Sequence, residues 1–268
     1  MLAIDPTDKI VQALAVGADA EFINTWRGLK SRTRNVPVIF RSMTQRKTVQ
    51  VCEKQQRDYF YIDTGYIGNL GKTKRWHRVV KNGMQHSQPR FDLPSDRFDE
   101  ICERADSPHI KFDGWQEEGS AILLVTPSEK PCKFYGVDRG QWVENTIATL
   151  REHTDREIIV RDKAERRGDR VRDNSIFKQF VEDDIYAVVT YNSIAAIEAI
   201  SFGIPAFTMA PTAADLLCLK DVQMIESPLR DDLEKVASWQ NWLGYCQYST
   251  AELTNGTALK LQQELNLL

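Results

Sequence analysis

The sequence predicts an α/β protein built on parallel sheets, and three observations carry that reading. Short aliphatic and β-branched runs recur between residues 121 and 209, at least four of them, and each stops at a polar turn. Stretches with helical spacing fall between those runs. A strand, helix, strand alternation also occupies residues 36–62. Strands that alternate with helices need crossover connections, and crossovers make parallel sheets. The length allows two modest α/β domains or one large one; the chain divides into halves, 1–120 and 121–268, and residues 121–209 support a Rossmann-like unit.

Each element has its own justification. The opening segment reads as a helix or strand that leads into a short polar stretch. Residues 36–40 read as a strand with Pro37 near its start, and residues 47–56 as a helix. Aromatic and β-branched residues make 59–62 a strand, which ends in Asp63-Thr64-Gly65-Tyr66. Residues 76–80 read as a strand, and Asn82-Gly83 is a turn signal. Residues 87–119 carry prolines and charges without clear periodicity, which predicts loops and short elements.

The second half is clearer. Residues 121–125, 157–160, 186–189 and 206–209 read as strands. Helices are expected at 142–151, 176–181 and 194–201, the last broken by Gly203-Ile204-Pro205. Two closing helices are expected at 233–247 and 250–265.

Composition bounds the function classes. The 268 residues are 42% hydrophobic and 27% charged, ordinary for a soluble globular chain. The amino terminus lacks the form of a secretion signal, and no apolar run nears the ~20 residues of a membrane span. A cytoplasmic setting is the expectation, the host cytoplasm if the gene is a phage's. Five scattered cysteines without a CxxC pair disfavour zinc and a disulfide scaffold. A net charge of −3 argues against a broad cationic nucleic-acid surface. Charge is uneven, however: Arg27, Lys30, Arg32, Arg34, Arg41, Arg46 and Lys47 form one basic group, and Lys72, Lys74, Arg75, His77, Arg78 and Lys81 another. They are either a local basic cleft or two solvated faces.

Ligands of open parallel sheets bind outside the carboxyl ends of the strands. Three expected strands end in groups suited to a phosphorylated ligand: Thr126 and Ser128, then Arg161 and Lys163, then Thr190, Asn192 and Ser193. Asn192 or Ser193 can cap the next helix, whose amino end also attracts an anion; capping alone needs no ligand. Glu198 either accepts from ribose hydroxyls or is an ordinary helical glutamate. Arg161 and Lys163 lie on one side of an extended segment and suit a diphosphate, or are surface cations. No GxGxxG or GxxxxGK[ST] is present, which weakens dehydrogenase and P-loop readings.

In the first half Asp63 ends an apolar strand ahead of Gly65. It is placed either as a general base toward a hydroxyl or as an Asx turn. Tyr66, Arg78, Asn82 and His86 are candidates to orient an acceptor or to complete the donor pocket, with His86 an alternative base or merely exposed. Trp76 either stacks on a sugar or base, or belongs to the core. Trp239, Trp242, Tyr245 and Tyr248 fit a partner surface or a buried helical stripe.

The run from Val188 through Thr190-Tyr191-Asn192-Ser193 and Glu198 to Gly203-Ile204-Pro205 resembles the donor-domain signature of GT-B glycosyltransferases, capsule polysaccharide transferases among them. Arg161 and Lys163 match the basic positions such enzymes place near donor phosphates. The resemblance implies a GT-B-like fold of two Rossmann-like domains, a reduced amino-terminal, acceptor-side domain and a carboxy-terminal donor domain. It implies a UDP-sugar donor, with no firmly expected metal.

The first half is similar to phage proteins that carry Tyr-Ile-Asp-x-Gly-Tyr followed by Arg-x-x-x-Asn, here Tyr61 to Tyr66 with Arg78 and Asn82. Such phages encode transferases that attach glucose or arabinose to 5-hydroxymethylcytosine in double-stranded DNA. That implies a DNA acceptor with the basic groups on phosphates. The alternatives are transfer to a surface or capsule glycan, or a non-catalytic nucleotide-sugar-binding or host-interaction protein.

Overall fold

The computed structural model describes residues 1–69, 75–105, 110–162 and 176–265. The chain divides into two units. Unit 1 holds residues 1–88, 95–105 and 242–268; unit 2 holds residues 89–94 and 106–241. Residues 242–265 thus group with unit 1, whereas the sequence alone assigned them to the second domain.

Unit 1 is built on six strands. They are β1 (Leu2–Ile4), β2 (Glu21–Ile23), β3 (Val38–Arg41), β4 (Tyr59–Thr64), β5 (Trp76–Lys81) and β11 (Gln247–Ser249), in the order β11-β5-β4-β3-β1-β2. The four strands β2, β1, β3 and β4 run parallel, while β5 and β11 are antiparallel to their neighbours. Helix α1 (Lys9–Gly17) links β1 to β2, and α2 (Arg46–Gln55) links β3 to β4. Asp8 caps α1 by accepting from the Ile10 and Val11 N–H groups. Helix α3 (Asp96–Arg104), not foreseen within residues 87–119, completes this part with α9 (Thr250–Thr254) and α10 (Thr257–Glu264). Val11, Leu14, Ile39, Ile62, Val79, Tyr248 and Leu253 share its core.

Unit 2 is a five-stranded, wholly parallel sheet: β6 (Ala121–Val125), β7 (Glu157–Arg161), β8 (Ile185–Thr190), β9 (Ala206–Thr208) and β10 (Cys218–Leu219), ordered β10-β9-β8-β6-β7. Every residue of β6 and β8 is buried, which is why they read as unbroken apolar runs. The crossovers are α4 (Glu129–Tyr135), α5 (Arg139–His153), α6 (Ile176–Glu182) and α7 (Ala195–Ser201). Order reverses between β6 and β8, the switch point at which a doubly wound sheet opens a crevice. The division of the chain falls within α8 (Leu233–Tyr245). Trp239, Trp242, Tyr245 and Tyr248 are all buried, so they are core stripe rather than a partner surface.

Candidate functional site

Unit 2 gathers polar groups along the carboxyl ends of its strands. Val125 and Thr190 are register partners at the ends of β6 and β8, and the buried Thr190 hydroxyl donates to the Val125 carbonyl at 3.1 Å. Thr190 thereby ties the switch point together. Thr126 follows β6, and its hydroxyl accepts from Arg139 at 3.2 Å. Arg139 also pairs with Asp162, the residue after β7. On the other flank Lys220, just past β10, donates to the Thr208 hydroxyl at 3.0 Å and pairs with Asp215. Tyr191 packs edge-on against Tyr135 and Trp142, with ring centroids 5.8 and 5.9 Å away.

The residues expected at this end differ in what they do. Arg161 is buried and donates to Gln179 of α6. Lys163 lies outside the described residues. Asn192 is buried. Ser193 accepts from the Ala195 N–H at 3.3 Å, but Ile194 occupies the cap position of α7, so neither Asn192 nor Ser193 is the cap residue. Ser128 stands at the cap position of α4 without a side-chain cap bond. Glu198 is half-buried in the first turn of α7. Arg139, Asp162, Thr208 and Lys220 were not singled out from the sequence. Asp162 was legible as a polar residue just after a strand; Lys220 follows a two-residue strand too short to read.

Unit 1 holds a second cluster around Asp63. The register of β4 on β5 sets Asp63 opposite Arg78. The Arg78 guanidinium donates to the Asp63 carboxylate at 3.3 Å and to the Thr64 carbonyl at 2.8 Å. Tyr61 Oη donates to the same carboxylate at 2.5 Å, and the Thr64 N–H donates at 2.8 Å. Burial alone would raise the Asp63 pKa, but Arg78, Tyr61 and the Thr64 N–H hold it below the usual carboxylate range. The group is ionised at neutral pH. Arg41 adds to that field from the end of β3 and pairs with Asp8 at 2.9 Å.

Arg78 is buried and lies over the Tyr66 ring at 5.1 Å. Tyr66 and His86 are buried together, with Oη and Nδ1 3.0 Å apart. Burial, reinforced by the Arg78 cation, pushes the His86 pKa down to about 3, so the ring is neutral and is not an exposed base. Trp76 is buried in the core. Asn82 accepts from the Tyr59 N–H and donates to Asp58, holding the turn after β5 with a φ of +54°. Of the residues expected around an acceptor, Tyr66, Arg78 and His86 thus come together beside Asp63, while Trp76 and Asn82 serve core and turn.

Among the described residues no group of three or more His, Cys, Asp or Glu side chains is placed to hold a metal, and no helix is long and apolar enough to cross a membrane.

No family model matches this sequence, and no curated protein is significantly similar to it. Solved structures are similar. The Kdo 2,7 transferase of KpsC from Thermosulfurimonas dismutans superposes with a TM-score of 0.55 at 10% identity, over 97% of this chain and 99% of that one. The Kdo 2,4 transferase of the same KpsC gives 0.52 at 13% identity, over 90% of each chain. At such identities the likeness is one of fold. The fold is GT-B-like, an α/β architecture of two Rossmann-like domains related to that of capsule polysaccharide Kdo transferases.

Proposed function

We infer that this chain is a nucleotide-sugar-dependent glycosyltransferase that moves a sugar to a hydroxyl of a surface or capsule glycan. The observation that carries the reading is the carboxyl end of the unit 2 sheet. Thr126, Asp162 with Arg139, Thr190, Thr208 and Lys220 stand there at the ends of five successive parallel strands. Cations and hydroxyls at a switch point suit a nucleotide-linked donor such as a UDP-sugar, whose leaving phosphate gains negative charge as the glycosidic bond breaks. Arg161 and Lys163 are proposed for the same phosphates, and Asn192, Ser193, Ser128 and Glu198 for the rest of the nucleotide.

Asp63 is the proposed catalytic carboxylate. Kept ionised by Arg78, it is competent to accept the proton of the acceptor hydroxyl or to stabilise positive charge at the anomeric carbon. Support for a glycan rather than 5-hydroxymethylcytosine DNA as acceptor comes from the fold likeness to capsule transferases and from the net charge of −3. The test is transfer from a panel of nucleotide-activated sugars, activated Kdo and UDP-hexoses included, to capsule oligosaccharides and to hydroxymethylcytosine DNA. A mass gain on an oligosaccharide supports the reading. A gain on DNA alone replaces the acceptor, and no donor consumption with any acceptor removes the activity.

A further inference from the structure

Unit 1 has a switch point of its own. Its parallel strands lie in the order β2-β1-β3-β4, so order reverses between β1 and β3. The connections through α1 and α2 leave in opposite directions, which opens a crevice outside the carboxyl ends of β1 and β3. Two adjoining cavities occupy that place. One, of about 410 Å³, is lined by Asp5, Thr7, Asn24 and Thr25 among others; the other, of about 460 Å³, by Thr44, Arg46, Lys47 and Gln50. Trp26 and Gln45 line both.

The chemistry of the two cavities is specific. The first presents hydroxyl, amide and carboxylate groups, which exchange hydrogen bonds with sugar hydroxyls. The second is cationic. Arg46 and Lys47 line it, and outside both linings Arg27 and Lys30 lie 5.5 Å from the centroid of the half-buried Trp26 ring, with Lys47 at 5.8 Å. Among the described residues, none of Arg27, Lys30 and Lys47 forms an ion pair with a carboxylate. The backbone here also holds two non-glycine residues in the left-handed region, Asp5 at φ +76° and Ser42 at φ +79°, each directly after a strand. Conformations of that kind persist where surrounding structure enforces them, and they cluster at binding sites.

We propose that this crevice binds an acidic saccharide, one sugar ring against Trp26 and its carboxylate beside Lys47, with Arg27 and Lys30 adding positive charge around the ring. This deepens the transferase reading, on which it rests, by assigning the acceptor class: a carboxylate-bearing glycan chain. Cavities of this size seat one or two sugar rings, and an aromatic ring beside hydroxyl and amide groups suits a pyranose face. A net charge of −3 argues against the wide cationic surface that a duplex needs.

The experiment is calorimetric titration of the whole chain with an oligogalacturonate hexamer, an oligosialate hexamer, neutral maltohexaose and a short DNA duplex. In parallel, the chain is titrated with UDP and with CMP. At least one acidic hexamer is expected to bind about ten-fold more tightly than maltohexaose, and to weaken as salt rises. Lys30→Glu/Lys47→Glu and Trp26→Ala are each expected to reduce that affinity about ten-fold or more while nucleotide affinity holds. The exposed lysines make the double variant safe for folding, and Trp26→Phe, which keeps an aromatic face, is expected to retain most of the binding. Equal binding of acidic and neutral hexamers, no acidic binding, tighter binding of the duplex, or acidic binding untouched by both variants would each overturn the proposal. If neither nucleotide binds while the acidic hexamer does, the saccharide site stands and the transferase reading falls.

Discussion

Asp63 and Arg78 are cross-strand partners on β4 and β5, with the guanidinium 3.3 Å from the carboxylate. The pair is asymmetric. The Arg78 side chain keeps 6% of its accessible surface and that of Asp63 33%, so the cation is sealed in while the carboxylate reaches solvent. An ionised acid held in this way is presented outward by a buried positive charge.

Removing the carboxylate leaves the buried cation without its counter-charge. Asp63→Ala is expected to lose about 3 kcal/mol in urea unfolding, near the low end of buried-pair losses because Asp63 is part-exposed. Asp63→Asn/Arg78→Met is expected to lose less than the sum of the single variants. Additive losses would show that the two side chains do not interact. The same melts decide whether any activity lost in Asp63→Ala reflects chemistry or unfolding.

His86 makes stability depend on pH in a stated direction. Its native pKa of about 3 lies below the ordinary 6.5, so the unfolded chain binds a proton that the native ring refuses. This contribution is fully present above about pH 6.5 and falls by roughly 1.4 kcal/mol per unit as pH drops toward 3. Above about pH 5 the carboxylates with lowered pKa stay ionised in both states and add little slope. His86→Gln is expected to flatten the urea-derived stability between about pH 6 and 5. An unchanged slope would mean that the imidazole protonates in the native state.

Gly203 sits where no side chain fits. Its φ is +86°, and a Cβ there would lie 2.2 Å from the Gly114 carbonyl. Gly203→Ala is expected to cost about 2–4 kcal/mol, from the left-handed backbone and the forced shift of that carbonyl. Gly136 has a similar φ of +73° with nothing within 4 Å, so Gly136→Ala is expected to cost only about 1 kcal/mol. Equal melting-temperature shifts would refute the close approach.

The donor end of unit 2 is tested by its two unforeseen cations. Arg139→Gln and Lys220→Met remove part-exposed side chains, so the fold is expected to survive. Nucleotide affinity is expected to fall about ten-fold in at least one of them, measured by calorimetry, because charge-assisted contacts to phosphate carry such weight. Unaltered affinity in both would move the nucleotide away from these strand ends.

What the sequence revealed follows from length and burial. The strands β6 and β8 are buried on both faces and β4 is long, so their apolar runs and the polar residues after them, Asp63, Thr126 and Thr190, were legible. Strands β1, β2 and β11 have three residues each and β10 two, too few for any periodicity. The segment Gln247-Tyr248-Ser249 lies where the helical spacing of residues 233–247 runs on, and only its antiparallel pairing with β5 makes it a strand. Gly256, at φ +83°, splits the expected last helix in two. Trp26 was missed as a site residue because only the cations beside it, Arg27 and Lys30, stand out in the sequence. Its meaning comes from Lys47, brought to it by the 3₁₀ turn at Trp26–Ser31 packing on α2.

The central claim is that this chain transfers an activated sugar to a glycan. The most direct measurement is intact mass of acidic oligosaccharide acceptors after incubation with the panel of nucleotide-activated sugars, for the wild type and for Asp63→Asn with its fold verified. A gain of one sugar residue in the wild type, absent in Asp63→Asn and absent from hydroxymethylcytosine DNA, is the expected result. A folded chain that consumes no donor and binds no nucleotide would contradict it.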